Sequence, residues 1–93
     1  MKLLLLLVLA GACSSLPGVL NEKAKELEVY SIKPVGCNVV GKVIGVDNNG
    51  STELATNHAL NQAEKLNASG IVVNQEVPNG NKRAVHATAY QCN

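Results

Sequence analysis

Four segments of the chain alternate between apolar and polar positions and are rich in β-branched residues. Short runs of this kind, bounded by Gly, Pro, Asn or Asp, are typical of β-strands. The second run contains Gly41 and Gly45, which project to the same face because they lie four residues apart. Glycines inside a strand often mark the close approach of another element. The predicted strands are Glu28–Lys33, Cys37–Val46, Ile71–Val77 and Arg83–Gln91.

One longer segment, Ser51–Ala68, has the periodicity of an α-helix. Ser51 suits the N-cap, and Glu53 lies in the first turn, where the helix dipole favours a carboxylate. The apolar stripe is narrow and consists mainly of methyl groups, with Leu60 beside it. We expect such a stripe to approach the glycines of the second strand closely. Its residues are Ala55, Ala59, Ala63 and Leu66.

The first apolar run, Leu3–Ala10, has neither alternation nor a polar face. Lys2 precedes it and the small residues Gly11 and Ala12 follow it, which is the arrangement of a secretory signal peptide. The run is much shorter than the ~20 residues that a membrane-spanning helix needs. The alternative is a buried N-terminal helix of the domain. We predict a signal peptide over residues 1–12.

Two of the three cysteines, Cys37 and Cys92, lie well beyond this segment. In an oxidising compartment, paired cysteines usually form a disulfide. The bridge would close a loop of roughly 55 residues and stabilise the fold by about 4 kcal/mol in the chain-entropy model. A redox or metal-binding pair is the alternative, although the chain has no CxxC motif. We predict a structural disulfide.

The order of elements is strand, strand, helix, strand, strand. Short turns predict two hairpins, the second through Asn79-Gly80, a pair that tight turns prefer. A Cys37–Cys92 bridge joins the start of the second strand to the end of the fourth, so these strands should be antiparallel neighbours. The predicted fold class is α+β: a four-stranded antiparallel sheet of order 1-2-4-3, with one helix on one face in a split β-α-β arrangement.

The bridge conflicts with the alternation of the strands. Cys37 shares a face with Gly41 and Gly45, and Cys92 shares a face with Tyr90. The better core face of the fourth strand, however, is Val85, Ala87 and Ala89. A β-bulge, or a Cys92 that lies past the strand end, would remove the conflict.

A sheet covered by one helix leaves its far face open. We predict that Val40, Ile44 and Tyr90 form a partner surface there, together with Val46 and Lys42. The alternative is that the N-terminal segment or an ordinary polar rim covers this face.

Composition and motifs restrict the chemistry. Without Lys2 the chain carries seven basic and seven acidic residues, and its only aromatic side chains are two Tyr, which argues against nucleic-acid binding. The two histidines, His58 and His86, are interpreted as surface residues, with a two-His metal site as the alternative. No motif for nucleophilic catalysis or phosphate binding occurs. We predict no catalytic residues, no metal ion or other cofactor, and no small-molecule substrate.

The residues Leu9-Ala10-Gly11-Ala12-Cys13 resemble the lipobox of bacterial lipoproteins. The resemblance implies that the signal is cut before Cys13 and that this residue carries the acyl chains, several of which give stable membrane anchoring. Ser14 in place of Asp implies sorting to the outer membrane. Ordinary secretion with a free Cys13 thiol is the alternative. The predicted organisation is a signal peptide over 1–12, a lipidated N-terminus and tether over 13–27, and a domain over 28–93.

Further motifs lie in the predicted domain: Cys37-x-x-Val40-Gly41-x-Val43-x-Gly45, an Ala- and Asn-rich helix, Asn67–Val73 and Tyr90-x-Cys92. They resemble a family of small, uncharacterised Gram-negative lipoproteins that are thought to be distant relatives of the stress-sensor lipoprotein of the Rcs phosphorelay. The resemblance implies one helix on a small disulfide-stapled sheet. It also implies a non-catalytic module that contacts an envelope protein, or alternatively an envelope-stress sensor. The chain differs from the sensor in having one bridge rather than two and a short tether.

Overall fold

The protein is described by a computed structural model that covers residues 18–92. The predicted signal peptide and Cys13 lie outside these residues. The predicted α+β class, with one α-helix, a four-stranded sheet and one disulfide, is confirmed. The elements are a 3₁₀ turn (Ala24–Glu26), β1 (Glu28–Tyr30), β2 (Cys37–Asp47), α1 (Thr52–Lys65), β3 (Gly70–Asn79) and β4 (Lys82–Cys92).

The sheet has the order β1-β3-β4-β2. The predicted antiparallel neighbours β2, β4 and β3 are confirmed, so β2, α1 and β3 form the split β-α-β unit around β4. The predicted position of β1 beside β2 is wrong. β1 instead pairs in parallel with β3, opposite Gly70–Val72, which makes the sheet mixed.

Two features accompany this placement of β1. Side chains of α1 bind the outer edge of β2 at Ile44 and Val46, so that part of the edge is occupied. Gly70 allows β1 to approach β3 closely, because a Cβ at this position would overlap the Glu28 carbonyl oxygen and lie 2.6 Å from Cε2 of Tyr30. The Glu28 amide completes the junction by donating to the Ser69 carbonyl at 3.1 Å.

A β-bulge in β2 removes the conflict between the bridge and the core face. Cys37 pairs with Cys92 and Val39 with Tyr90, but the next register pair joins Gly41 to Ala89, so Val40 is the extra residue. Odd-numbered residues before the bulge and after it therefore project to opposite faces. The two cysteines form their disulfide at one end of the sheet with a Cα–Cα distance of 4.3 Å.

The helix α1 begins at a conventional N-cap and packs closely on β2. The Ser51 hydroxyl accepts the amide of Leu54 at 3.1 Å. Ala55, Ala59 and Ala63 are fully buried. A Cβ at Gly45 would overlap the Ala55 carbonyl oxygen and reach within 2.6 Å of the Ala59 nitrogen. The expected close approach of an alanine stripe to strand glycines is therefore confirmed.

The helix ends earlier than expected, at Lys65 rather than Ala68. Asn67 adopts a left-handed conformation (φ 60°), which Asn tolerates better than most residues and which turns the chain towards β3. One consequence concerns Leu66, which follows the last helical residue and is 40% exposed instead of closing the buried stripe.

The domain begins earlier in the chain than Glu28. Ala24 of the 3₁₀ turn is fully buried in the core, and Leu20 and Leu27 pack against the same cluster. The predicted tether over 13–27 is therefore too long, because residues from Gly18 onward are part of the packed domain. These side chains contribute buried apolar area that composition alone did not assign to the core.

Candidate functional site

The face of the sheet away from α1, called here the open face, carries a strip of exposed apolar side chains on edge strand β2. The strip consists of Val39, Ile44 and Val46, which are 56%, 47% and 38% exposed. The side chain of Lys42 lies on the same face between them, opposite Thr88 of β4. Ile44, one of the three residues predicted as a partner surface, thus lies on an accessible apolar surface.

Val40, the second predicted residue, does not belong to this strip. It is the bulged residue of β2 and packs, partly buried, against the hydrophobic core. Alternation predicts that it shares a face with Ile44, but the bulge changes the phase between them. Its assignment to the partner surface was wrong for this reason.

Tyr90, the third predicted residue, is on the open face but is only 7% exposed. Tyr30 of β1 covers this end of the face. Its ring lies against Gly70, the register partner of Tyr90, and its hydroxyl reaches Sγ of Cys92 at 3.5 Å. The open face is therefore closed near the disulfide, and Tyr90 cannot serve as an exposed contact.

Two side chains of α1 bind the outer backbone edge of β2. Gln62 accepts the Ile44 amide through Oε1 at 3.3 Å and donates to the Ile44 carbonyl through Nε2 at 2.7 Å. His58 accepts the Val46 amide through Nδ1 at 3.0 Å. An unpaired strand edge is a template for pairing with another chain, and these side chains occupy part of that edge.

A second pair of side chains fixes the N-terminal segment onto the helix. Asn57 donates to the Gly18 carbonyl at 3.2 Å, and Asn61 donates to the Val19 carbonyl at 2.8 Å. Asn61 also accepts the Asn21 amide at 3.1 Å. The helix is therefore held between the sheet and the incoming chain.

Polar contacts also order the end of the sheet that carries the disulfide. Ser69 Oγ accepts the Cys92 amide at 2.8 Å, and the Ser69 amide donates to the Tyr90 carbonyl at 2.7 Å. The predicted Cys37–Cys92 bridge is present. Cys13, the predicted lipidation site, falls outside the part of the chain that the structure describes.

The structure does not bring the two histidines together. His58 caps the edge of β2 from the helix side, whereas His86 lies on the open face of β4 opposite Ile44. Within residues 18–92, no group of three or more His, Cys, Asp or Glu side chains is arranged to hold a metal ion. No helix in this same range has the length and apolar character needed to cross a bilayer.

Sequence reasoning missed the roles of the polar residues of α1. Asn57 and Asn61 are four residues apart, as are His58 and Gln62, so each pair lies along one face of the helix. The spacing was visible, but side chains at i and i+4 are also typical of a solvated helix face. Only the position of the two neighbouring backbones shows what each pair binds.

Comparison with protein-family models, with curated proteins and with solved structures found no significant match.

Proposed function

We propose that this chain is a lipid-anchored lipoprotein of the bacterial outer membrane that works as a non-catalytic binding module, facing the periplasm or the cell surface. Two of its three cysteines bond to each other, so Cys13 stands outside the structural disulfide. This division supports a separate role for Cys13, which ends a sequence similar to a lipobox. Several acyl chains on that residue would anchor the domain stably.

The strip Val39, Ile44 and Val46 carries the binding proposal. Its three exposed apolar side chains lie on one edge strand, and the basic side chain of Lys42 lies within the strip. Apolar surface next to polar groups is typical of protein contacts. We propose an envelope protein as the partner of this strip.

The contacts of two side chains of the types used in hydrolytic catalysis also favour binding over catalysis. His58 uses Nδ1 to hold the Val46 amide, and Ser51 uses its hydroxyl to cap the helix. A hydrolytic nucleophile needs a base within hydrogen-bond reach and a group that orients that base. Both side chains are instead committed to backbone contacts that stabilise the fold.

Mass spectrometry of the mature protein tests the anchor. We expect a chain that begins at Cys13 and carries diacylglycerol and an N-acyl group, and we expect Cys13→Ser to abolish both the modification and membrane association. An unmodified Cys13, or a disulfide that includes it, would contradict the proposal.

Photocrosslinking in intact cells tests the binding surface. A crosslinkable residue at Lys42 should capture one envelope protein, and Ile44→Asp in the same chain should reduce the yield at least fivefold. Val29→Asp is the matched control, because Val29 is a similarly exposed apolar residue on the opposite edge of the sheet. Equal yields from the two variants would refute the proposed surface. The stress-sensor role implied by the resemblance stays a prediction, for which deletion of the gene should blunt an envelope-stress response.

A further inference from the structure

The chain enters the domain at the N-terminal half of α1. Asn57 holds the Gly18 carbonyl, and a Cβ at Gly18 would lie 3.3 Å from the Cβ of Leu54. Both helix residues belong to the first two turns of α1, so the incoming chain lies beside the start of this helix. The domain therefore has one end at which any N-terminal anchor must attach.

The same end of the molecule contains the loop between β2 and α1 and the hairpin between β3 and β4. A Cβ at Gly50 would lie 3.0 Å from the carbonyl oxygen of Asn81, so the loop and the hairpin are in contact. We call this region the turn end; it comprises Asp47–Gly50, the first turn of α1 and Asn79–Lys82. The Cys37–Cys92 bridge marks the opposite end, called here the disulfide end.

The length of the connecting chain limits how the domain can be oriented. Five residue steps separate Cys13 from Gly18, which span at most about 18 Å when fully extended. Strand β4 runs from Lys82 at the turn end to Cys92 at the disulfide end, a length of about 33 Å at the usual rise of a strand. The connection is thus shorter than the domain.

Resting on the lipid anchor at Cys13 proposed above, we infer that the turn end of the domain contacts the lipid headgroups and the disulfide end points away from the membrane. Apolar side chains beside the incoming chain, Val19 and Leu54, are both exposed and suit the interface. The turn end carries Lys82 in the hairpin together with the carboxylates of Asp47 and Glu53, so its contact with the headgroups depends on the anchor and these apolar side chains, not on net charge. Ile44 and Val46 then lie in the membrane-proximal half of β2, where a membrane-bound partner can reach them.

Single tryptophan reporters test this orientation, because the chain contains no tryptophan. Asn79→Trp places a reporter at the turn end. Val35→Trp is the matched control at the disulfide end, where residue 35 is almost fully exposed. Each full-length, lipidated variant is reconstituted into vesicles of phosphatidylethanolamine and phosphatidylglycerol that contain a dansyl-headgroup lipid. We expect energy transfer from residue 79 to be at least threefold more efficient than from residue 35.

Controls separate the orientation from the anchor itself. Mass spectrometry before reconstitution establishes acylation, and a Cys13→Ser chain should give no transfer from either reporter. If acylated protein shows equal or reversed transfer, the orientation is wrong while the anchor stands. If no acylated protein forms in cells, the anchor proposal and this inference both fail. Glu53→Trp, an exposed position in the first turn of α1, provides a second turn-end reporter if Asn79→Trp does not fold.

Discussion

Replacement of Gly45 by alanine tests the central packing contact of the fold. The new methyl group would overlap the carbonyl oxygen of Ala55 and approach the backbone nitrogen of Ala59 to 2.6 Å. Backbone atoms of a helix cannot move aside as the end of a side chain can. The whole of α1 would therefore have to lift from β2, which would disturb the fully buried alanine stripe.

The magnitude follows from the nature of the obstacle. Overpacking a core usually costs about 1–3 kcal/mol, and a clash with helix backbone places Gly45→Ala near the upper end, at about 3 kcal/mol. Gly41→Ala is the matched control on the same strand and the same face. Its methyl group would meet Cδ1 of Leu66 at 2.9 Å, the far end of a half-exposed side chain. A rotation of Leu66 accommodates it, so the expected change is under about 1 kcal/mol.

Urea denaturation of the mature chain, with Cys13→Ser in every variant and the disulfide intact, measures both effects by far-ultraviolet circular dichroism. With a slope of about 1 kcal/mol/M for a domain of this size, Gly45→Ala should lower the midpoint by about 3 M and Gly41→Ala by less than about 1 M. A Gly45→Ala chain as stable as the Gly41→Ala chain would refute the close packing of α1 on β2 at Gly45.

Two further predictions concern the polar residues of α1. Asn61→Ala should lower the free energy of unfolding by about 2 kcal/mol, because it leaves the Val19 carbonyl and the Asn21 amide without this side-chain partner. Urea denaturation measures the loss, and unchanged stability would show that these hydrogen bonds do not hold the N-terminal segment on the helix. Gln62→Ala should speed hydrogen exchange of the Ile44 amide at least tenfold and raise self-association of the chain, because it uncaps part of the β2 edge; exchange at the rate of the unsubstituted protein would show that Gln62 does not protect this edge.

The local pattern of the sequence was sufficient for the elements and for the main packing contact. Alternation identified the four strands, and the spacing of Ala55, Ala59 and Ala63 identified the buried face of the helix. Gly45 indicated where that face would meet the sheet, because only a residue without a side chain permits such close approach. The positions of Cys37 at the start of β2 and Cys92 at the end of β4 also predicted correctly that these strands are neighbours, since a disulfide requires its Cα atoms to be close.

The candidate site depended on features that local pattern does not contain. A bulge of one residue reverses the faces of a strand. Simple alternation contains no bulge and therefore places Val40 on the open face, whereas Val40 packs against the core. Tyr90 lies on the expected face but is buried, at the end of the sheet where the Tyr30 ring lies against Gly70, the register partner of Tyr90. Of Val40, Ile44 and Tyr90, only Ile44 is exposed as expected, and it lies on the same exposed face as Val46 and Lys42.

What the sequence determined by itself was thus the set of elements, the helix face and the bridge, which depend on residue type and short-range periodicity. Tertiary structure alone decided the placement of β1 beside β3 and the extent of the N-terminal segment that packs on the domain. Both depend on contacts between elements that are distant in sequence: β1 pairs with β3 beside Gly70, and Asn61 binds the incoming chain. These contacts cannot be read from local pattern, because each backbone hydrogen-bonding group pairs with whichever partner the assembled fold brings within reach.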